Sequence, residues 1–430
     1  MKPILTFPCY EPHHYRVELT EADAVQHVLV TGSTGCGKST LLTSAIQQLI
    51  ALEPRSSARK TGLLILDAKV DGLVEQVRQA ALAAGRAADV VVFGPNGDTV
   101  FDLFADGSLP NIERLTRRIL MSAEPVGGDN AYWQLATSAM VNSALTLVAS
   151  SGRPAGFGGI VELMRNWFLS PTTPPQIGDL VRRIQKLARG PHSATLTVAV
   201  DQVELWQHLD GRTRSNTQSC LLNVLRPLLT PAAARCFDPR GSAVGSPAVA
   251  ATQGSICVVS VSALTEPDLA KFFFRAAKQE FFDAVQSRQG FGHRLCGLVA
   301  DEFPLVVTRE DIEQLATVRS KRCFVIAAAQ GLDGLTQRLG AVVGRAIVNN
   351  FNTSIFMRGR ETETALCAFL ALGNRQESRK PHRDEESEFG LVKLLPSRPP
   401  PPESIEVPVC PVGTLSRLKP HQAYILFADG

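Results

Sequence analysis

The ten residues TGSTGCGKST, Thr31 to Thr40, constrain this chain more than any other stretch. Gly32 to Ser39 fit G-x-x-x-x-G-K-[ST] in full, and the flanks agree. The apolar run Val28 to Val30 reads as a buried strand, and Lys38 to about Ala51 as a helix. Strand, Gly-rich turn and helix in that order are what a phosphate loop needs. Glycines let backbone N–H groups converge on an anion at the helix N-terminus, Lys38 reaches the terminal phosphates, and the Ser39 hydroxyl can ligate Mg²⁺. Gly32, Ser33, Thr34, Gly35, Cys36, Gly37, Lys38, Ser39 and Thr40 are therefore the candidate nucleotide-binding residues. The competing reading, a Gly-rich turn that opens a helix by chance, has to ignore the agreement between motif and flanks.

The rest of the chain alternates in the same way. Leu63 to Leu66 reads as a short apolar strand ending in Asp67, followed by an Ala-rich helix, Leu73 to Ala84, and a third strand, DVVVFGP. Strand alternating with helix predicts a doubly wound, mostly parallel α/β sheet flanked by helices, the P-loop or RecA-like class. From about Pro110 the pattern turns helical: NIERLTRRILMS, DNAYWQLATSAMVNSALTLVAS, GIVELMRNWFL, QIGDLVRRIQKLA and, after the polar run DGRTRSNTQ, SCLLNVLRPLL. Strands return at SICVVSVSAL, LCGLVADEF, CFVIAAAQ and NTSIFMRG. The expected layout is an ATPase domain in two parts, 1–109 and 241–375, around an all-helical insertion at 110–240. A charged, Pro-rich connector at 376–404 and a closing edge-strand segment at 405–430 complete it.

Composition narrows the setting. A formal charge of +3 over 430 residues is too small for attraction to nucleic acid by net field, so any basic surface has to be local. Basic residues do cluster at Arg55, Arg59 and Lys60, at Arg182, Arg183, Lys186 and Arg189, at Arg212 and Arg214, and at Arg319, Lys321 and Arg322. Each group could meet phosphates, although a solvated face is the commoner explanation for any one of them. The nine cysteines are scattered, with no C-x-x-C pair, which reads as reduced thiols in a cytoplasmic protein. No apolar run approaches the roughly 18 residues a spanning helix needs, and the first residues carry no signal-peptide pattern. Contact with a membrane is expected only through a partner.

A phosphate loop needs an acid at the end of a neighbouring strand, and LCGLVADEF supplies two. Asp301 is the candidate Mg²⁺ ligand beside Ser39, and Glu302 the candidate base that orients and deprotonates the attacking water. Gln330 ends the next apolar strand at the same sheet edge, where it can sense a γ-phosphate or merely cap a turn. NTSIFMRGR ends a further strand with Arg358 and Arg360, either solubilising residues or groups that complete a nucleotide site. Asp67-Ala68-Lys69 falls on the same edge and by itself reads as a turn with an exposed lysine.

Taken in order, HVLVTGSTGCGKST, LLILDAK, VVVFGPNG, DNAYWQLA, LVADEFP, AAAQ and NNFNTSIFMR resemble the FtsK/HerA superfamily of hexameric DNA-pumping ATPases. Within it the chain is most similar to conjugative type IV coupling proteins of the TraD/TraG group, with their TraM-recognition-site domain. The resemblance spans roughly residues 25–375, with a weaker echo in LKPHQAYILFADG. It implies ATP and Mg²⁺ as cofactors, catalytic roles for Lys38, Glu302 and Gln330, and Arg358 as an arginine acting on a neighbouring subunit, with Arg360 as the alternate. It also implies a homo-hexamer that translocates DNA, and a helical block concerned with recognition. The chain departs from the group in two ways: it begins directly at the motor, and FDLF (Phe101 to Phe104) and DAK stand where the group has prolines. Two readings follow. One is a soluble ring motor on DNA, and the other an ATP-dependent recruiter that delivers a relaxase, nuclease or effector, with DNA incidental.

Overall fold

The computed structural model describes residues 3–8, 16–52, 60–103, 112–122, 131–150, 193–238, 243–379 and 403–427. Two short strands, β1 (Leu5–Pro8) and β2 (Arg16–Leu19), pair antiparallel ahead of the phosphate-loop strand β3 (Val28–Thr31). The strands that follow are β4 (Gly62–Asp67), β5 (Val90–Phe93), β6 (Thr99–Phe101), β7 (Ala243–Gly245) and β8 (Ile256–Ser260). Next come β9 (Cys296–Ala300), β10 (Cys323–Ala329), β11 (Thr353–Met357), β12 (Asn374–Arg379), β13 (Glu403–Pro408) and β14 (Ala423–Leu426). Ten of them form one sheet in the order β14-β11-β3-β10-β9-β4-β8-β5-β6-β7. Every pairing in it is parallel except β11 with the edge strand β14. This is the mostly parallel, helix-flanked sheet that the alternation of strand and helix predicts.

Both faces of the sheet are covered, which is why its strands read as unbroken apolar runs. Side chains alternate between two cores. Leu29, Leu64, Leu66, Val325 and Ala327 enter one, while Val28, Val30, Leu63, Ile65, Phe324 and Ile326 enter the other. The phosphate-loop helix, Lys38–Ile50, buries Leu42, Ala45, Ile46 and Leu49 in the second core. The first core is deepened by helix Pro267–Gln286, which buries Phe272, Phe273, Phe274, Phe281 and Phe282. Lys278 of that helix is also buried, its ammonium 2.7 Å from Asp311 Oδ1 and 3.0 Å from the Val306 carbonyl. Each buried charge is neutralised by the other.

Between β6 and β7 the described residues are helical: Ile112–Ser122, Ala131–Ser150, Ser193–His208, Gly211–Leu225 and Pro231–Phe237. Leu115, Ile119, Val141, Leu145, Leu196 and Leu221 of these helices join the same core as β4 and β8. Two expectations need correcting. DGRTRSNTQ is no polar spacer: Asp210 accepts hydrogen bonds from the amides of Arg212 and Thr213, and the helix starts there, its polar first turns facing solvent. The connector at 376–404 is strand at both margins, since β12 and β13 pair antiparallel from Asn374↔Pro408 to Arg379↔Glu403. The expected helices GIVELMRNWFL and QIGDLVRRIQKLA, and Arg55, Arg59, Arg182, Arg183, Lys186 and Arg189, lie outside the described residues. Among the described residues no helix is long and apolar enough to cross a membrane.

Candidate nucleotide site

The order of strands assembles the site. Parallel strands end at one edge, and β10 lies between the loop strand β3 and the acidic strand β9. Across that edge the groups therefore run from Arg358 after β11, through the loop after β3 and Gln330 after β10, to Asp301 and Glu302 after β9, with Asp67 to Lys69 beyond at β4. Every site residue expected from the sequence falls on this edge, where open parallel sheets bind their ligands.

The loop is held open by its own backbone. Gly35 and Gly37 take left-handed conformations, at φ +74° and +109°, that turn the chain into the helix. The Lys38 ammonium is buried and donates to the carbonyls of Gly32 (2.5 Å) and Ser33 (3.1 Å), so its charge stands inside the loop's curve. The wall facing β11 is fixed by Arg358, whose carbonyl accepts from the Ser33 amide (2.8 Å) and the Ser33 hydroxyl (3.0 Å). Arg358 thus belongs by its backbone to the loop of its own chain, with its side chain half-buried and Arg360 exposed.

Ser39 and Asp301 meet directly: Ser39 Oγ is 3.1 Å from Oδ2 and 3.4 Å from Oδ1 of the carboxylate. Lys69, which the sequence places on this edge only as a turn lysine, is the third member of this cluster. The Lys69 ammonium donates to Ser39 Oγ at 2.6 Å and forms an ion pair with Asp301 Oδ2. Its position follows from strand order, because β4 pairs with β9 in a register that sets Leu66 opposite Ala300. The side chain after the end of β4 then reaches the acid after the end of β9. A D-x-K triplet at a strand end was the available signal, but nothing in one sequence says which strand will be its neighbour.

Glu302 is half-buried and its carboxyl titrates above the ordinary range. Burial is the main cause and the adjacent Asp301 charge adds to it, while Lys38, Lys69 and a hydrogen bond from the Gln330 side chain pull the other way. A carboxylate with raised proton affinity beside a buried lysine has the character of a general base. Gln330 is exposed and touches this base, as its place at the end of β10 requires.

His421 is a residue the sequence did not single out. Its backbone is left-handed (φ 67°), its amide donates to the Cys36 carbonyl at 2.8 Å, and its ring packs over Gly37. It gets there because β14 pairs with β11, bringing the turn before Ala423 up to the loop. Beside Ser39 and Asp301 a cavity of about 380 Å³ opens, lined also by Thr43, Gln47, Asp67 and Asp71. The described basic groups are elsewhere: Lys60 pairs with Asp89, Lys321 donates to the Arg288 carbonyl, and Arg322 pairs with Glu21. Arg319 to Arg322 precede β10 and so lie at the opposite sheet edge.

Comparison with known proteins agrees with the fold. Residues 296–393 match the family described as the TraM recognition site of TraD and TraG. The whole fold is similar to the bacterial conjugative coupling protein TrwBdeltaN70, at a TM-score of 0.68 and 18% identity over 96% of this chain and 84% of that one. Structures of the plasmid coupling protein TrwB with ADP and Mg²⁺ (TM-score 0.67, 18% identity, 96% and 85% covered) and with the ATP analogue ADPNP (0.66, 18%, 96% and 84%) align equally well. No curated protein matches the chain. In fold along nearly its whole length this chain is similar to the conjugative coupling protein TrwB, and over residues 296–393 its sequence matches the TraM recognition site of TraD and TraG.

Proposed function

We propose that this protein is an Mg²⁺-dependent ATPase that works as a ring of six to translocate DNA, in the manner of a coupling protein. The observation that carries the reading is the convergence of Lys38, the Ser39–Asp301 pair and the Glu302–Gln330 pair on one sheet edge. The likeness to TrwB, whose structures hold ADP with Mg²⁺ and an ATP analogue, supports these as the cofactors. The residues fit a divalent ion, because Ser39 and Asp301 already share a cation, the Lys69 ammonium, between two oxygen donors. Ser39 and Asp301 would hold the metal, which supplies charge neutralisation at the phosphates. Lys38 would draw the terminal phosphates into the loop, and Glu302 would take the proton from the attacking water while Gln330 holds that carboxylate in place. Phosphate release by the purified protein should rise when DNA is added and vanish in Lys38→Ala and Glu302→Gln.

Arg358 is assigned to the neighbouring subunit's site, with Arg360 as the alternate. Mixing two inactive variants, Lys38→Ala and Arg358→Ala, tests this. If the arginine acts between subunits, a mixed ring regains hydrolysis where an intact loop faces an intact Arg358. An arginine acting within its own chain leaves the mixture as inactive as its parts.

The second reading, an ATP-dependent recruiter of a protein partner, is favoured by one observation: the matched segment 296–393 is described as a protein recognition site. ATPase rates that are equal with and without DNA, together with stable co-purification of a relaxase, nuclease or effector, would decide for it.

A further inference from the structure

The Lys69 ammonium does not lie where it does by accident of a mobile side chain. Asp67 builds the turn that aims it: Oδ1 accepts from the amides of Lys69 (3.3 Å) and Val70 (3.0 Å), while Oδ2 accepts from Ser260 Oγ at 2.8 Å. Asp67 itself is buried, the last residue of β4 and paired with Ser260 of β8. The turn forces Val70 into a left-handed backbone at φ 56°, a conformation a β-branched residue avoids. Val70 is exposed, so packing of its side chain does not explain the strain. What the strained turn achieves is the placement of Lys69 against Ser39 and Asp301.

The chemistry of that placement is specific. Ser39 Oγ accepts from Lys69 at 2.6 Å and donates to Asp301 at 3.1 Å, and the ammonium closes the triangle by its ion pair with the same carboxylate. Asp301 is largely buried, so its charge needs a cation within reach, and the Lys69 ion pair meets it directly. A lysine supplies one as a compact point charge on a flexible stem, able to leave when a stronger cation arrives. From these relations we propose that Lys69 is a tethered counter-ion: it holds the place of the divalent cation between Ser39 and Asp301, and so makes metal binding weak until nucleotide phosphates add their own oxygens.

The proposal rests on the reading of Ser39 and Asp301 as metal ligands, and its test separates the two. Mn²⁺ binding to the full chain, followed by the loss of the free-ion electron paramagnetic resonance signal with no nucleotide present, is compared among wild type, Lys69→Met and Lys69→Gln. Removal of the tethered charge is expected to tighten Mn²⁺ binding tenfold or more in both variants, and to lower the Mg²⁺ concentration that half-saturates binding of a fluorescent ADP. Adding Asp301→Asn to Lys69→Met should abolish the gain. Unchanged Mn²⁺ affinity in both Lys69 variants, or no Mn²⁺ binding by either, overturns the proposal. A gain that survives Asp301→Asn overturns the ligand assignment as well.

Discussion

Ser39 Oγ stands 3.1 Å from Asp301 Oδ2, although 262 positions separate the two residues in the chain. The contact exists because β9 and β3 flank the same strand, β10, in parallel register, so that both ends reach one edge together. If the pair serves the metal, either partner alone is insufficient. Ser39→Ala and Asp301→Asn are each expected to lower phosphate release at saturating Mg²⁺ by on the order of 100-fold or more, since a metal contributes several kcal/mol to charge stabilisation. Fluorescent ADP binding without Mg²⁺ should persist in Asp301→Asn, because Lys38 and the loop are untouched. Full activity in either variant removes that residue from the metal site.

Glu302 sets the acid side of the pH profile. Its proton affinity is raised by burial and by Asp301, and only the deprotonated form can accept a proton from water. Hydrolysis should therefore fall, as pH is lowered, at a pH above the ordinary carboxylate range. Asp301→Asn removes the neighbouring negative charge, so whatever residual rate remains should show its acid limb moved to lower pH. Single-turnover rates across a pH series measure both. A limb that stays where it was after Asp301→Asn would mean that another group governs it.

Gly37 is the tightest point of the loop. Its φ of +109° already excludes side chains, and a Cβ there would come within 2.5 Å of His421 Nδ1. Gly37→Ala should thus abolish fluorescent ADP binding. Gly35→Ala, where φ is +74° but nothing lies within 4 Å, should only weaken it, by the 1–2 kcal/mol or about tenfold that a left-handed residue costs. The double variant Gly37→Ala with His421→Gly separates strain from collision. Partial recovery of binding is expected, since the imidazole is gone and the backbone strain remains.

How much of this was legible in the sequence follows from the range of each interaction. The loop, its strand and its helix are contiguous, so motif and hydrophobic pattern identify them together. Asp301, Glu302 and Gln330 were legible because each closes an apolar run, and runs of that kind in a parallel sheet end at one edge. The contact of Lys69 with Ser39 and Asp301, and the place of His421, were not. Their positions depend on which strands are neighbours, β4 with β9 and β14 with β11, and pairings across such distances leave no local trace. Helix Ser193–His208 escaped for a different reason: SATLTVAVDQVELWQH is rich in β-branched residues and lacks a clean helical stripe, so packing rather than propensity makes it helical.

His27 links the loop strand to pH. The ring is buried at the head of β3, on a left-handed backbone (φ 66°), stacked edge-on against Phe351. Its tautomer follows from its partners. The Val325 amide can only donate, so Nδ1, at 3.1 Å, accepts, and Nε2 carries the proton given to the Leu315 carbonyl at 2.8 Å. Protonating Nδ1 would set two N–H groups against each other in the core. Burial accordingly pushes the pKa from 6.5 down to about 4, opposed by the Leu315 bond and assisted by Arg319. Because the folded value is the lower one, the unfolded chain takes up the proton first as pH falls. Stability from this group is complete above pH 6.5 and is lost progressively as pH drops through 4, by about 3 kcal/mol in all. Asn tolerates the left-handed backbone and offers Oδ1 to the Val325 amide, so His27→Asn should keep the fold while removing this titration. Urea unfolding midpoints from pH 7.5 to 4 should then fall less steeply in the variant than in the wild type. Equal slopes in the two proteins would refute the assignment.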